Sequence, residues 1–525
     1  MVRKLSILSI FFLPSIILHA QSQNQAAFAI GTPGNDNGNS VVQTLDGGYA
    51  ITGYSLCNAC PTDVYVLKLD SVYNLKWARI IGGSNDDYGY SLVKTYDKGF
   101  AVSGFTSSYG YGGGGIYLLK LDSLGNLLWS ETIQGQHGYS ILQTADGGFA
   151  IAGNINTCAL CPSKAYILKL DSAGKVKWAE TIGGTSNDTT YAMIQTKDKG
   201  YALAGVTTSF GAGGKDMYLI KLDSSGNMQW NKTVGGTNDD VAYSLLQTFD
   251  GGYAMAGYTT SFGAGGKDFY VVKLDSLGNT MWTRTLGGTN DDIAKSIIQT
   301  SYGDIVVAGT TISSVSGDNF TYLVRLDSTG KWKWSKLITS VTGSVNSIIK
   351  TTKGFTTAGT TSYFGAGEND AYILLLDTAG NTCINANNIQ HITGVDSGRV
   401  SSGGTLNPFS PIISIDTSAT ATTGTITNYC YQTGPTNVAN TALIENKPEV
   451  FPDPATNKIT LEYTLQGLNY TSIKIVDITG NTLFSTTINE NINDYTIPVS
   501  GLANGIYIMQ VISTKKTFYL KFIKQ

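Results

Sequence analysis

Residues 235–286 read GGTNDDVAYSLLQTFDGGYAMAGYTTSFGAGGKDFYVVKLDSLGNTMWTRTL, and close variants of this line recur along much of the chain. Four β-rich runs, VAYSLLQT, YAMAG, FYVVKL and TMWTRTL, are parted by turn letters, of which FDGG and DSLGN are the tightest. The decapeptide TTSFGAGGKD stands at 207–216 and again at 259–268. Aligning on Leu-Asp followed by Ser or Thr places Asp70, Asp122, Asp171, Asp223, Asp275, Asp327 and Asp377 at steps of 52, 49, 52, 52, 52 and 50. Six of these seven repeats carry a tryptophan seven residues on: Trp77, Trp129, Trp178, Trp230, Trp282 and Trp334. The seventh, which runs into Cys383, has none.

A four-stranded unit of this length matches the blade of a β-propeller rather than a helical solenoid. Alternation agrees: Tyr270, Val272 and Leu274 share one face of the third strand, as do Tyr65, Leu67 and Leu69 in the first repeat. The predicted fold is all-β, a seven-bladed β-propeller over residues 21–383. An open ring would leave edge strands to pair with other chains. The stretch AAFAIGTPGND (26–36) reads as a fourth strand entering the next repeat, so residues 26–31 are expected to complete the seventh sheet, with Phe28 near the tryptophan's place.

Composition fits strands and turns, with 62 glycines, 30 tyrosines and 14% charged residues. A formal charge of -3 and the lack of a Lys/Arg-rich run argue against nucleic acid as partner. Residues 1–20 have the order of a secretory signal: Arg3 and Lys4, an apolar run from Leu5 to Leu18, then Ala20. No later run approaches the roughly 20 apolar residues of a spanning helix, so no transmembrane segment is expected in the mature chain. Export makes disulfides the expected state of the six cysteines, pairing Cys57 with Cys60, Cys158 with Cys161 and Cys383 with Cys430. Two CxxC pairs could also hold zinc, but a whole repeat separates them.

An antiparallel meander sorts its connections into two sets, and the longer ones, GGTNDD and TTSFGAGGKD, share a face. Scaffolded loops are where ligands commonly bind. The candidate ligand-binding residues there are Asp86, Asp87, Phe210, Asp239, Asp240, Phe262, Asp291 and Asp292. Their carboxylates suit Ca²⁺ or, with the rings, a sugar. The same letters also serve as turn caps, the reading favoured by their recurrence from repeat to repeat. Gly-Lys here precedes Asp and a strand, unlike a phosphate loop. After the signal only His137 and His391 remain, no Gly-x-Ser-x-Gly occurs and the carboxylates recur, so an enzyme is the less favoured class.

KLDSAGKVKW (169–178) resembles the tryptophan-docking repeat of quinoprotein propellers, though that family's adjacent cysteine pair is missing, so the likeness implies fold and no quinone cofactor. The turn is also similar to the Asp box of sialidases, without an arginine triad. Triplets such as Asp122-Ser123-Leu124 resemble O-glycosylation sites of exported Bacteroidetes proteins. The tail, VFPDPATNKITLEY from Val450, then IKIVDITGNTL, LANGIYIMQV and LKFIKQ, resembles the type A C-terminal sorting domain of the type IX secretion system. The resemblance rests on Pro452, Pro454, Gly480, Gly505 and Tyr507, with Asp453 where the family has Asn. It implies a small Ig-like β-sandwich over 446–525, read by the type IX machinery. Residues 384–445, rich in Ser, Thr, Asn and Gly, are expected to be a linker. The whole reads as a binding or adhesion module, secreted or on the outer-membrane surface, for a glycan or protein ligand; the alternative is a polysaccharide-active enzyme or accessory carbohydrate binder.

Overall fold

The computed structural model describes residues 26–524, apart from 33, 57–60, 111–113, 157, 159, 314–316, 364–367, 384–385, 389–398, 402–404, 409–412, 416–418, 421–424, 432–448, 452–456, 463–469, 478–480, 488–493 and 514–516. The signal expected at 1–20, and Cys57, Cys60, His391, Pro452, Pro454 and Gly480, lie outside the described residues. Two compact units divide the chain, 1–434 and 435–525. Among the described residues the regular elements are all β-strands.

In the first unit each repeat is an antiparallel meander of four strands. The fifth is Asp240–Gln247, Tyr253–Thr259, Asp268–Leu274 and Thr280–Leu286, innermost to outermost. The sixth and seventh share one long strand, Trp332–Thr351, which pairs with Phe320–Leu326 on one side and continues as the partner of Gly354–Thr361. Side chains on the two faces of the middle strands differ in size, and that difference joins neighbouring sheets. Ala254 and Ala256 of the fifth sheet pack against Ile305, Val307, Tyr322, Val324 and Leu326 of the sixth. The opposite face of the fifth, Tyr253, Met255, Tyr270 and Val272, is fitted over Ala202 and Ala204 of the fourth. Large-into-small packing of this kind fills space at the density of protein interiors. It recurs at each junction and also brings Ala358 and Ile373 of the seventh sheet against Tyr49, Ile51 and Tyr65 of the first.

The outermost tryptophans join the same junctions at the rim. Trp77 donates from its indole nitrogen to the Ser123 carbonyl at 3.2 Å, and its ring lies 2.7 Å from where a Cβ would project at Gly125. Trp178 on Gly226 and Trp282 on Gly330 repeat the arrangement. The seam between the last and first sheets solves the problem differently. Ala26–Gly31 pairs antiparallel with Asp370–Leu376 and so forms the outer strand of the seventh sheet. Its register sets Ala26 opposite Leu375, the tryptophan position, and Phe28 two residues further on, opposite Ile373. Here the facing turn carries Tyr73 in place of glycine, and Tyr73 sends its own ring into the gap, 5.4 Å from Phe28 and 6.0 Å from Tyr49. Tyr73 holds φ at 70°, a conformation that ordinarily selects glycine, and is 8% exposed.

The stretch expected as a linker behaves otherwise. Short strands within it pair, in descending order, with the outer strands of five sheets: Ala386–Asn388 with the sixth, Arg399–Ser401 with the fourth, Thr405–Pro408 with the third, Ile413–Ile415 with the second and Ala419–Thr420 with the first. Thr425–Tyr431 then pairs with Ala26–Gly31, which is thereby held on both edges. Low hydrophobicity misleads here, because an added edge strand draws on backbone hydrogen bonds that any side chain permits. Of the expected disulfides, Cys158–Cys161 is present and Cys383 is disulfide-bonded. Cys430 stands in the register opposite Ala27.

Among its described residues the second unit has one sheet of three strands and one of four, and Ile459, Leu461 and Ile497 meet Ile473, Ile475, Met509, Val511 and Phe522 in a core. Gly505 opens the strand Gly505–Ser513, and the Tyr507 hydroxyl donates to the Ala503 carbonyl at 2.7 Å.

Replacing Tyr73 by glycine removes the ring that fills the seam. Loss of a buried aromatic costs about 3–5 kcal/mol, of which about 1 kcal/mol returns as relief of the left-handed backbone. Urea unfolding is expected to show a net loss of about 2–4 kcal/mol; an unchanged midpoint would show that the seam does not need the ring.

Candidate functional site

One irregularity is common to all seven innermost strands. In the fifth sheet Ala242 faces Gly257 and Ser244 faces Ala256, so Tyr243 has no partner in the register: a β-bulge. The same extra residue is Asn39, Tyr90, Tyr139, Tyr191, Lys295 and Asn346 in the other sheets. Opposite each bulge stands the glycine of the repeated second strand. A Cβ on Gly257 would lie 1.8 Å from the Val241 carbonyl oxygen, and one on Gly104 1.7 Å from that of Tyr88, so only glycine admits the bulge.

The innermost strands neighbour one another in chain order, and the first also touches the seventh. Serines following the bulges tie them together: Ser40 accepts from Leu92 N, Ser91 from Ile141 N, Ser140 from Met193 N, and Ser347 from Val41 N across the seam, at 3.2 to 3.4 Å. The seven bulge side chains are therefore brought near one another where the innermost strands meet, and all are half-buried. Four are consecutive tyrosines. Ring centres are separated by 5.2 Å from Tyr90 to Tyr139, 5.0 Å from Tyr139 to Tyr191 and 5.2 Å from Tyr191 to Tyr243. Lys295 continues the line, its Nζ 3.9 Å from the centre of the Tyr243 ring. Asn346 and Asn39 complete it: Asn346 donates across the seam to the Gly38 carbonyl at 3.1 Å, and Asn39 donates to the Gly89 carbonyl of the second sheet at 2.8 Å.

One step nearer the long loops, Tyr88 and His137 widen the aromatic sector. Tyr88 stacks on Tyr90 with ring centres 6.2 Å apart, and His137 lies 4.9 Å from the Phe105 ring with Nδ1 3.3 Å from the Tyr90 hydroxyl. Burial holds the His137 pKa below its ordinary value and raises those of Tyr90, Tyr139, Tyr191 and Tyr243. At neutral pH this is an uncharged aromatic surface with one cation at its end. Sequence reading passed over these residues. The signal was one column, the letter before the recurrent Ser in VAYSLL, which reads N, Y, Y, Y, Y, K, N among repeats otherwise much alike.

The loop aspartates singled out from sequence accept hydrogen bonds from the scaffold. Asp239 accepts from Lys215 N at 3.1 Å and Nζ at 2.8 Å, Asp291 repeats this with Lys267, and Asp86 accepts from Thr62 N. Asp87, Asp240 and Asp292, all buried, cap the loop before them by accepting from Gly83, Gly236 and Gly288 N, and take the hydroxyls of Ser108, Ser261 and Ser313. Phe210 and Phe262 turn back onto Tyr218 and Tyr270. The repeated decapeptide is a loop closed on its own final aspartate: Ala212 N donates to Asp216, and Ala264 N to Asp268. Gly211 and Gly263, at φ 111° and 107°, permit that curl. Among the described residues no three His, Cys, Asp or Glu side chains gather as a metal site.

Residues 449–525 match the family of secretion-system C-terminal sorting domains. Such a tail engages the type IX machinery, and the protein is thus secreted or displayed on the outer-membrane surface. No helix among the described residues is long and apolar enough to cross a membrane. A regulatory protein, FlaEY of Caulobacter vibrioides, is 25% identical over 213 residues, 36% of this chain and 21% of its own length; the chain thus spans about a fifth of that relative. Among solved structures, Sqt1 of Chaetomium thermophilum aligns over 67% of this chain and 99% of its own at 12% identity, with a TM-score of 0.38. PorZ, a surface component of the type IX secretion system of Porphyromonas gingivalis, covers 93% of this chain and 81% of its own at 10% identity and a TM-score of 0.26. An α-L-arabinanase of Penicillium chrysogenum covers 68% and 98% at 9% identity and a TM-score of 0.35.

Behind the loops lies an electrostatic cost. Asp268 and Asp292 converge on Gly287, whose Cβ would lie 2.3 and 2.5 Å from their oxygens, and Oδ1 of Asp268 makes no hydrogen bond. Burial, and then the neighbouring carboxylate, raise the Asp268 pKa to about 6. A folded pKa above the unfolded value near 3.8 leaves no penalty at pH below 3.8, a growing one between 3.8 and 6, and the full one above. Asp268→Asn keeps the acceptor for Ala264 and removes the charge. It is expected to raise Tm at pH 7.5, a gain on the order of 1–3 kcal/mol that shrinks towards pH 4; a gain independent of pH would contradict the assignment.

Proposed function

We propose that the seven sheets close into a seven-bladed propeller, followed by an Ig-like sorting domain, and that this exported propeller is a glycan-binding module whose site is the axial tyrosine surface. Closure is supported by the seventh-to-first packing, the Ser347 hydrogen bond and the paired amino-terminal strand. The observation that carries the functional reading is the run of tyrosines on bulges, from Tyr90 to Tyr243, half-buried and about 5 Å ring to ring. Bulges commonly re-aim side chains beside sites, and a tyrosine face with a polar tip suits a sugar, whose ring offers C–H groups on its faces and hydroxyls at its rim. The loop aspartates and Phe210 and Phe262 frame this surface in the reading adopted, without holding the ligand themselves.

A glycan array with the purified secreted form, followed by calorimetry, tests it. Tyr139→Ala and Tyr191→Ala should each weaken binding about 5- to 30-fold, the equivalent of about 1–2 kcal/mol of stacking per ring, with folding intact by circular dichroism. Binding that survives both substitutions but is lost in Asp239→Ala or Asp291→Ala would move the site to the loops. Release of sugar products by the wild type would indicate the polysaccharide-active alternative.

A further inference from the structure

Lys295 differs from the lysines of the loops and of the third strands. Lys215 and Lys267 are each paired with a loop aspartate, Asp239 and Asp291. The lysines of the third strands, such as Lys221 and Lys273, are paired with turn aspartates, Asp198 and Asp250. None of the ion pairs among the described residues includes Lys295, and what stands against its ammonium is the Tyr243 ring, 3.9 Å away. On its other side the axial series continues with the neutral amides of Asn346 and Asn39. A half-buried ammonium without a counter-charge is unfavourable, and a ring face replaces only part of its lost hydration. Its pKa reflects this: burial, then repulsion from Lys267, draw it down to about 8, so the group is still mostly charged at neutral pH. The bulge aims this cation into the surface that the tyrosines line, at the end of the row.

We propose that Lys295 sets the specificity of the axial site, and that the glycan it takes is anionic, a sugar ring stacked on Tyr191 and Tyr243 with its carboxylate or sulfate on Lys295 Nζ. This rests on the glycan reading above and adds the chemical class of ligand. An acidic group brought to Lys295 would supply the missing counter-charge where water is partly excluded, so its attraction is stronger than at an open surface. A neutral sugar gains the stacking alone.

The test uses the full secreted chain on an array of uronate-containing and sulfated oligosaccharides, each printed beside its methyl-esterified or desulfated counterpart. At pH 7 the wild type should bind acidic members at least tenfold more tightly than their neutralised partners, and the member that responds, uronate or sulfate, identifies the anion. Lys295→Met should abolish that preference, and Lys295→Arg should retain it. Equal binding of acidic and neutralised members, or a preference that persists in Lys295→Met, overturns the proposal. If neutral glycans bind and Tyr191→Ala weakens them, the axial site stands and the anionic assignment alone fails. Absence of binding to any member overturns both.

Discussion

Each innermost strand carries one residue more than its neighbour can pair, and the glycine opposite is what makes room for it. Without a Cβ at Gly104 or Gly257 the bulged backbone can press its carbonyl against the second strand. Two consequences come from this one accommodation. The strand bends where the sheets crowd together, and the surplus side chain leaves the sheet's alternation. The repeat therefore fixes a direction for seven side chains while leaving their chemistry open. Four are tyrosine, two asparagine and one lysine, so a near-symmetric scaffold presents an asymmetric surface.

Polar groups elsewhere serve the frame. Buried lysines such as Lys169 and Lys221 reach across to turn aspartates and also donate to the adjacent backbone carbonyl. Loop aspartates cap amides of the preceding repeat, and serines bridge innermost strands. Each is modest alone, since hydrogen bonds exchange with water at small net gain. Repeated around the unit, they hold long, glycine-rich connections in place with few apolar contacts of their own. The apposed carboxylates at Asp268 and Asp292 run against this pattern, and Gly287 beside them shows how little space the junction leaves.

Much of this was legible in the letters because a repeated sequence aligns with itself. The period, the four strands, the face-sharing of Tyr270, Val272 and Leu274, and the place of residues 26–31 all follow from alternation and turn chemistry. The register of Phe28 did not, because one tryptophan position had been traded for Tyr73 on the opposite side of the seam, a substitution visible only once both strands are placed. The axial site was missed for the opposite reason. Letters that recur, such as the Asn-Asp-Asp run, mark what the sheets require; the informative column is the one that varies, before a serine kept in every repeat but the fourth, where Ala192 stands. The strands of 386–431 escaped because edge pairing makes no demand on hydrophobicity.

Those edge strands bear on how the molecule comes to exist. The first strand of the chain lies between the seventh sheet and Thr425–Tyr431, so its two neighbours are synthesised after nearly every other part of the unit. Until then the outward edges of the sheets are bare, each a template on which a second molecule could nucleate. In a chain that emerges amino end first, the segments that blunt those edges, within 386–431, are made only after all the repeats. A chain cut short of these strands would carry its outer edges unpaired, each open to a neighbour's backbone.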